Sequence, residues 1–397
     1  MTAVIPMWGG RRRDVAGRGD LSGSARANGG ITLGVEEEFL LLDPSGGAPV
    51  PLGPNVVRML DGEPGVQQEL MRFQVEIATG VCTSLEGAGL ELARLRRLVA
   101  DAAAGLGCRL VASGIAPYGA PGLAAVTNAP RYRELARHFG PVVTEVGGTC
   151  GCHVHVGVPS RDLGVQVLAR LRPWLAPLLA VSANSPIACG HDTGCASARY
   201  AAWSRWPTAA PPEMWPDAAA YEAAIRRLIG RGAAVDEQSI YYFARLSPRY
   251  PTVEVRVADV CLDTGATVLL AGLTRALIAT ALAEARRGTP VPTVPAGRVS
   301  AALGAAARNG LEGAGVDPFT GHSADARSLQ SRFLDHVHAA LSDRGDAHII
   351  AGLLRRLDQR GTGADRQRTL FADAASPSRF VEALARLALS GDELLTA

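Results

Sequence analysis

The chain has 397 residues, 47% of them hydrophobic and 20% charged, with 40 basic against 38 acidic side chains. This balance excludes fibrous, collagen-like and wholly disordered classes, and a net charge of +2 supplies no field to draw the chain to nucleic acid or anionic lipid. Every residue of the Lys and Arg total is an arginine, which excludes mechanisms that need a lysine: the P-loop, the protein-kinase strand lysine and the Schiff base. Any phosphate must then be held by arginine, backbone amides and a divalent cation.

Seven cysteines, odd in number and dispersed from Cys82 to Cys261, argue against a disulfide framework and for a reducing cytoplasm. The arginines at 11–13 have no apolar run beside them that would make a signal peptide, and no stretch of about 18 apolar residues follows, so neither secretion nor a membrane span is expected.

Residues 1–30, rich in Gly, Arg, Ser and Ala without periodicity, read as a flexible N-terminal arm. From Ile31 to Asp43 the chain alternates like a strand, closed by Pro44 and a Gly46-Gly47 turn. Residues 68–79 alternate again, and 86–106 carry the spacing of an amphipathic helix ended by Gly105 and Gly107. A short strand is expected at 109–113, another at 149–158, and a helix over 163–183 kinked at Pro173 and Pro177. The Gly- and Pro-broken run from Asn184 to Pro216 reads as a long functional loop. Two alternating runs, 238–247 and 252–259, flank Pro248-Arg-Tyr-Pro251 and predict an antiparallel hairpin. After 264 the pattern is mostly helical, interrupted at 288–297 and 313–325.

Residues two apart in a strand share a face, so each strand can be sorted into two sides. Glu36 and Glu38 oppose Val35, Glu37, Phe39 and Leu41; Arg72, Gln74 and Glu76 oppose Met71, Phe73, Val75 and Ile77. His153 and His155 oppose Cys152, Val154 and Val156, and Glu254 and Arg256 oppose Val253, Val255 and Val257. Any one of these polar faces could simply be wet. Four together are dominated by carboxylate and imidazole, the ligands of hard and borderline divalent cations, and converging carboxylates without a cation would repel one another. A zinc site at Cys150-Gly-Cys152-His153-Val-His155 is disfavoured, because both cysteines lie on the face away from the histidines. Arg199, Arg205, Arg245 and Arg256 are the anion contacts open to a lysine-free site.

Assembled in order, these residues resemble a carboxylate–amine ligase of the glutamate–cysteine ligase type 2 family. The matching pieces are Gly34-Val-Glu-Glu-Glu38, Val75-Glu-Ile-Ala-Thr79, Gly151-Cys-His-Val-His-Val-Gly157, Ser182-Ala-Asn-Ser-Pro186, Ala196-Ser-Ala-Arg199, Thr252-Val-Glu-Val-Arg256 with Asp259, and Gly310-Leu-Glu-Gly with Asp317-Pro. The resemblance implies an α+β, glutamine-synthetase-like fold, a curved and mainly antiparallel sheet flanked by helices, with 31–397 as one catalytic domain and a helical C-terminal region. It implies ATP and Mg²⁺ (or Mn²⁺) as cofactors and small-molecule partners only: an amino acid, an amine and ATP. A homodimer stays open.

The implied reaction forms an acyl phosphate on a side-chain carboxylate, which an amine then attacks; for the family this is L-glutamate and L-cysteine giving γ-glutamylcysteine. Carried over by similarity, Glu36, Glu38, Glu76, His153 and Glu254 would hold metal and Arg256 with Glu254 would serve catalysis. His155, Arg199, Arg245 and Gln74 would bind substrate or nucleotide. The chain departs from the family's Trp-Asp-x-Arg-Pro at Tyr242-Phe-Ala-Arg-Leu246, where Phe243 replaces an acid, and from its His-Pro-Phe at Ala116-Pro-Tyr118. A pathway-specific amide synthetase, a non-catalytic nucleotide-binding regulator and a metal-dependent amidohydrolase remain alternatives.

Overall fold

The computed structural model describes residues 31–119 and 125–391, so the arm expected over 1–30 lies outside the described residues. In chain order the elements are β1 (Leu33–Leu42), α1 (Gly53–Met59), β2 (Val66–Gln68), β3 (Gln74–Ala78), α2 (Leu85–Gly105), β4 (Arg109–Val111), α3 (Pro130–Val146) and β5 (Gly151–Gly157). Then come α4 (Arg161–Leu171), α5 (Leu175–Ser182), the two-residue strands β6 (Ile187–Ala188) and β7 (His191–Asp192), α6 (Ala198–Trp203), α7 (Ala218–Gly230), β8 (Ala244–Leu246) and β9 (Thr252–Asp259). The remainder is α8 (Thr264–Arg286), α9 (Ala296–Asn309), the hairpin β10 (Ala314–Val316) and β11 (Ser323–Asp325), and helices α10 (Ala326–Asp343), α11 (Ala347–Arg360), α12 (Gly363–Asp373) and α13 (Pro377–Ala388).

A seven-stranded sheet organises the fold in the order β2-β3-β1-β5-β9-β8, with β4 also pairing β1, and every pairing is antiparallel. One face is covered by helices. Ser84 caps α2, its hydroxyl accepting from Gly87 N at 3.1 Å, and the helix buries Leu85, Leu92, Leu95 and Val99. Asp263 caps α8 in the same way, accepting from Ala266 N at 2.9 Å. Helix α8 is long and apolar enough to cross a membrane, a length the sequence reading overlooked; here most of it is buried against α2, α4, α10 and the sheet.

Glu37 belongs to this helix-covered face, and burying its charge requires a partner. Arg96 of α2 supplies it through bonds of 2.5 and 2.9 Å, with Thr267 of α8 adding a hydroxyl at 2.6 Å. The same guanidinium donates to the carbonyls of Cys261 and Ala388, so one buried ion pair joins β1 to α2, α8 and the end of α13.

Three expected elements differ. The alternating run 68–79 is two strands, β2 and β3, separated by a turn at 69–73, because Gln74 Oε1 accepts from Met71 N and folds the chain back. The run 238–247 is a strand only at 244–246; Asp236 caps a 3-10 turn at 237–239, whose carbonyls, with that of Ile240, accept from Arg245. The 184–216 segment is largely irregular as expected, but it carries β6, β7 and α6 and is moored by buried Asp259. That carboxylate accepts from Asn184 N, Ser185 Oγ and Ser197 Oγ at 2.7–2.9 Å.

Candidate active site

Strand register assembles the site. Antiparallel partners share a face, and here Glu36 pairs with His153, Glu38 with Glu76, His155 with Glu254, and Glu254 with Arg245. The face away from the helices is therefore lined along five strands by carboxylates, imidazoles and guanidiniums, in a cleft of about 290 Å³. Its opposite wall comes from α3, α6 and the 204–250 segment, through Arg131, Tyr132, Trp203, Trp206, Tyr241 and Tyr250.

Two compact groups lie on this face, each with ligand atoms within 4.8 Å of one another: Glu36, His155 and Glu254, and Glu38, Glu69 and Glu76. His153 bridges them, its Nδ1 3.3 Å from Glu36 Oε2 and its Nε2 3.8 Å from Glu38 Oε1. His155 Nε2 is buried 3.2 Å from Glu36 Oε1, and His153 Nε2 is buried without a hydrogen-bond partner.

The electrostatics of the two groups are opposite. Burial pushes Glu36 up, but the charge of His155 and hydrogen bonds from both histidines outweigh it and hold the carboxyl well below its usual range. Glu254 is likewise held low against burial by Arg245 and Arg256. In the second group compensation falls short: burial and the Glu69 charge push Glu38 up to about 8 against the Arg199 and Arg256 charges and the Gly151 N–H, and burial with the Glu36 and Glu69 charges raises Glu76 well above the carboxylate range. Burial, then the Arg256 charge, lowers His153 to about 4, whereas His155 rises because Glu36 and Glu254 overcome its desolvation.

The structure brings together Glu36, Glu38, Glu76, His153, His155, Arg245, Glu254 and Arg256. Arg245 grips Glu254 at 2.8 Å through Nε, and Arg256 donates to the same carboxylate. Two expected residues are placed elsewhere. Gln74 does not line the cleft; its amide donates to Thr149 O at 2.9 Å, fastening β3 to the segment entering β5. Arg199 is buried behind the cleft, donating to the carbonyls of Val257 and Arg256 and lying 3.9 Å from Asp259. Gly151 must lack a side chain there, because a Cβ would come within 2.3 Å of the Arg199 guanidinium. Arg205 is on the surface, paired with Glu145.

Glu69 is the residue that sequence reading missed. It lies in the 69–73 turn, where alternation assigns no face, and the sharp β2–β3 reversal brings it beside Glu76. Its carboxyl is raised, with burial the largest cause. Phe243, the departure from the family pattern, is buried against Tyr200 at a ring separation of 5.4 Å and lies outside the cleft lining.

With this geometry in place, comparisons with known proteins agree on one family. The sequence profile of glutamate–cysteine ligase family 2 matches residues 32–383. A relative from Mycobacterium sp. (strain KMS), provisionally named glutamate–cysteine ligase 2-2, is 41% identical over 361 residues, covering 90% of this chain and 99% of its own. One from Rhodococcus jostii (strain RHA1), provisionally named glutamate–cysteine ligase 2-1, is 42% identical over 368 residues, covering 91% and 97%. Among solved structures, the glutamate–cysteine ligase of Francisella tularensis in complex with AMP superposes with a TM-score of 0.63 at 14% identity, covering 90% of this chain and 88% of that one. The bifunctional glutathione synthetase of Pasteurella multocida gives 0.61 at 15% identity, covering 90% and 52%. The architecture is thus the expected glutamine-synthetase-like one.

Proposed function

The chain belongs to glutamate–cysteine ligase family 2, and from that premise we propose that this ATP-dependent carbon–nitrogen ligase joins L-glutamate to L-cysteine. The observation that supports the reading is the acid-lined sheet face itself: two clusters of ligands, all buried except the half-buried Glu69, with Arg256 bonded to Glu254 and 5.9 Å from the Trp203 ring centre.

The donor set fits Mg²⁺ or Mn²⁺. Carboxylate oxygens dominate, two imidazole Nε2 atoms are buried among them, and the burial and repulsion that raise Glu38 and Glu76 are the conflict a cation relieves. Glu36, His155 and Glu254 would hold one ion, Glu38, Glu69 and Glu76 another, with His153 in reach of both groups. Bound there, such ions neutralise the phosphate oxygens of ATP and the charge that develops on them.

The side-chain carboxylate of glutamate attacks the γ-phosphate, releasing ADP and leaving an acyl phosphate; the amine of cysteine then attacks the acyl carbon and phosphate departs. Arg256, anchored by Glu254, supplies the fixed positive charge for the transferring group in a chain without lysine. Arg245 locks Glu254 in turn, and the aromatic wall excludes water from the acyl phosphate.

The test is ADP release by the purified protein with Mg²⁺-ATP and glutamate, with and without cysteine, beside Glu36→Ala and Arg256→Ala. Cysteine-dependent ADP and a γ-glutamylcysteine product, both lost in the variants, are expected. ADP release only with another amine would keep the chemistry and replace the amine. ATP binding without ADP release for any pair would sink the ligase reading.

A further inference from the structure

Arg245 is expected from the sequence to touch substrate or nucleotide, but the fold already occupies its guanidinium. Nε and Nη2 donate to the two oxygens of Glu254 at 2.8 and 3.4 Å, and Nη1 donates to the carbonyls of Glu237, Gln238 and Ile240 at 3.4, 2.9 and 2.8 Å. A guanidinium is a rigid plane with its N–H groups in fixed directions, so fixing one edge fixes the other. The place of the Glu254 carboxylate is therefore set, through Arg245, by where those three carbonyls stand.

Three carbonyls converge on one nitrogen because the chain turns tightly at 237–239, and side chains shape that turn. Asp236 Oδ1 accepts from Ser239 N at 2.8 Å, while Ser239 Oγ accepts from Asp236 N and Val235 N, both at 3.0 Å. This reciprocal pair satisfies the free N–H groups at the start of the turn. Thr208 closes its far end, the hydroxyl donating to Ser239 O at 3.1 Å and accepting from Tyr241 N at 2.9 Å. Asp236 is also gripped from α3, where Arg131 donates to it through Nε at 2.6 Å and Nη2 at 3.1 Å. The two side chains of that pair are 30% and 35% exposed, so the charge pairing adds little to stability. Its effect is geometric: it ties the turn to the helix whose next residue, Tyr132, donates to Glu69 of the other ligand group at 3.4 Å.

We propose that Asp236, which does not line the cleft, is a positioning residue of the site: its carboxylate shapes the turn that fixes Arg245, and Arg245 holds Glu254 where a cation shared with Glu36 and His155 can bind. The proposal rests on the cation sites of the ligase reading and adds to them a residue that touches neither ion nor substrate.

Metal binding tests it without turnover. Mn²⁺ is titrated calorimetrically into the full chain as the natural protein, Asp236→Ala, Asp236→Asn and Asp217→Ala. Asp217 is the comparison because it caps α7 in the same way, accepting from Ala220 N at 2.8 Å, and has no part in the cleft. Asp236→Ala should weaken one Mn²⁺ site about tenfold, the lower end for a residue that orients a ligand, and leave the other site unchanged. Asp236→Asn keeps an acceptor for Ser239 N and should restore the weakened site to within about threefold of the natural protein. Asp217→Ala should lower the denaturation midpoint and leave both sites unchanged. If Asp236→Ala does not fold, Ser239→Ala, which breaks the other half of the reciprocal pair, is read against Asp217→Ala in its place. Unchanged Mn²⁺ affinity in Asp236→Ala overturns the proposal, as do an equal loss in Asp236→Asn, an equal loss in Asp217→Ala, or no Mn²⁺ bound by the natural protein. ADP release separates the two readings: the Mn²⁺ loss in a protein that releases no ADP with any amine would keep the positioning role and discard the ligase, and ADP release with Mn²⁺ affinity untouched by Asp236→Ala would do the reverse.

Discussion

Three consecutive glutamates of β1 meet opposite fates on the two faces of one sheet. Glu37 is buried on the helix face with a guanidinium, a hydroxyl and a network that reaches three helices, and its charge is fully met. Glu36 and Glu38, one residue to either side, are nearly as buried, yet they line a cleft in which Glu38 stands beside Glu69 and Glu76, and burial with the Glu69 charge pushes its carboxyl up to about 8. Burial alone therefore does not distinguish a structural charge from a functional one. What distinguishes them is whether the fold itself completes the pairing or leaves it for a ligand to complete.

The largest effect expected from breaking that contrast is on the helix face. Arg96→Ala leaves Glu37 charged and buried without its partner and should cost about 3–5 kcal/mol, read as a lowered denaturation midpoint or loss of soluble protein. On the cleft face the corresponding change should fall on activity. Arg256→Ala is expected to lower ADP release by about 10²–10³-fold while the unfolding midpoint stays closer to the natural protein than that of Arg96→Ala. A midpoint that drops as far as for Arg96→Ala would erase the distinction between the faces.

Smaller effects sharpen the comparison. Glu76→Gln removes one member of the repelling cluster and should stabilise the metal-free protein by about 1 kcal/mol while weakening Mg²⁺ binding, measured by thermal melts with and without the ion. The pH dependence carries a definite sign. Burial, then Glu69, raises Glu38 to about 8, so between pH 4.5 and 8 the folded metal-free chain retains a proton that the unfolded chain has released. The contribution of this group is fully present below pH 4.5 and is lost as pH rises toward 8. Mg²⁺ binding displaces that proton, so the rise in unfolding temperature on adding Mg²⁺ should be greater at pH 8 than at pH 6. An equal or smaller rise at pH 8 would place the cation away from Glu38.

Period-two alternation made much of this site legible, because it depends only on neighbours along a strand: Glu36 with Glu38, His153 with His155 and Glu254 with Arg256 share faces whatever the strands pair with. Glu69 was not legible, since it belongs to a turn and alternation assigns a turn residue no face. Gln74 lies apart from the cleft for a related reason: alternation places it on one side of the strand, but its amide is taken up by a nearby carbonyl, that of Thr149. Arg199 has its place because α6 folds its guanidinium behind β9, a contact spanning 57 residues to the Arg256 carbonyl. Trp203 and Trp206 come from a segment without periodicity, so only their three-dimensional surroundings reveal that they line the cleft.

The sequence by itself determined the absence of lysine chemistry, the presence of the strands that carry the site, and which residues within each strand face together, because these follow from composition and from geometry local to a few residues. Only the tertiary structure decided that Glu36 stands opposite His153 and Glu38 opposite Glu76, that Glu37 finds Arg96 across 59 residues, and that the acids divide into two groups in a cleft shared with aromatic side chains. Register, turn reversal and long-range packing are set by the whole chain's burial at once, and no window of sequence contains them.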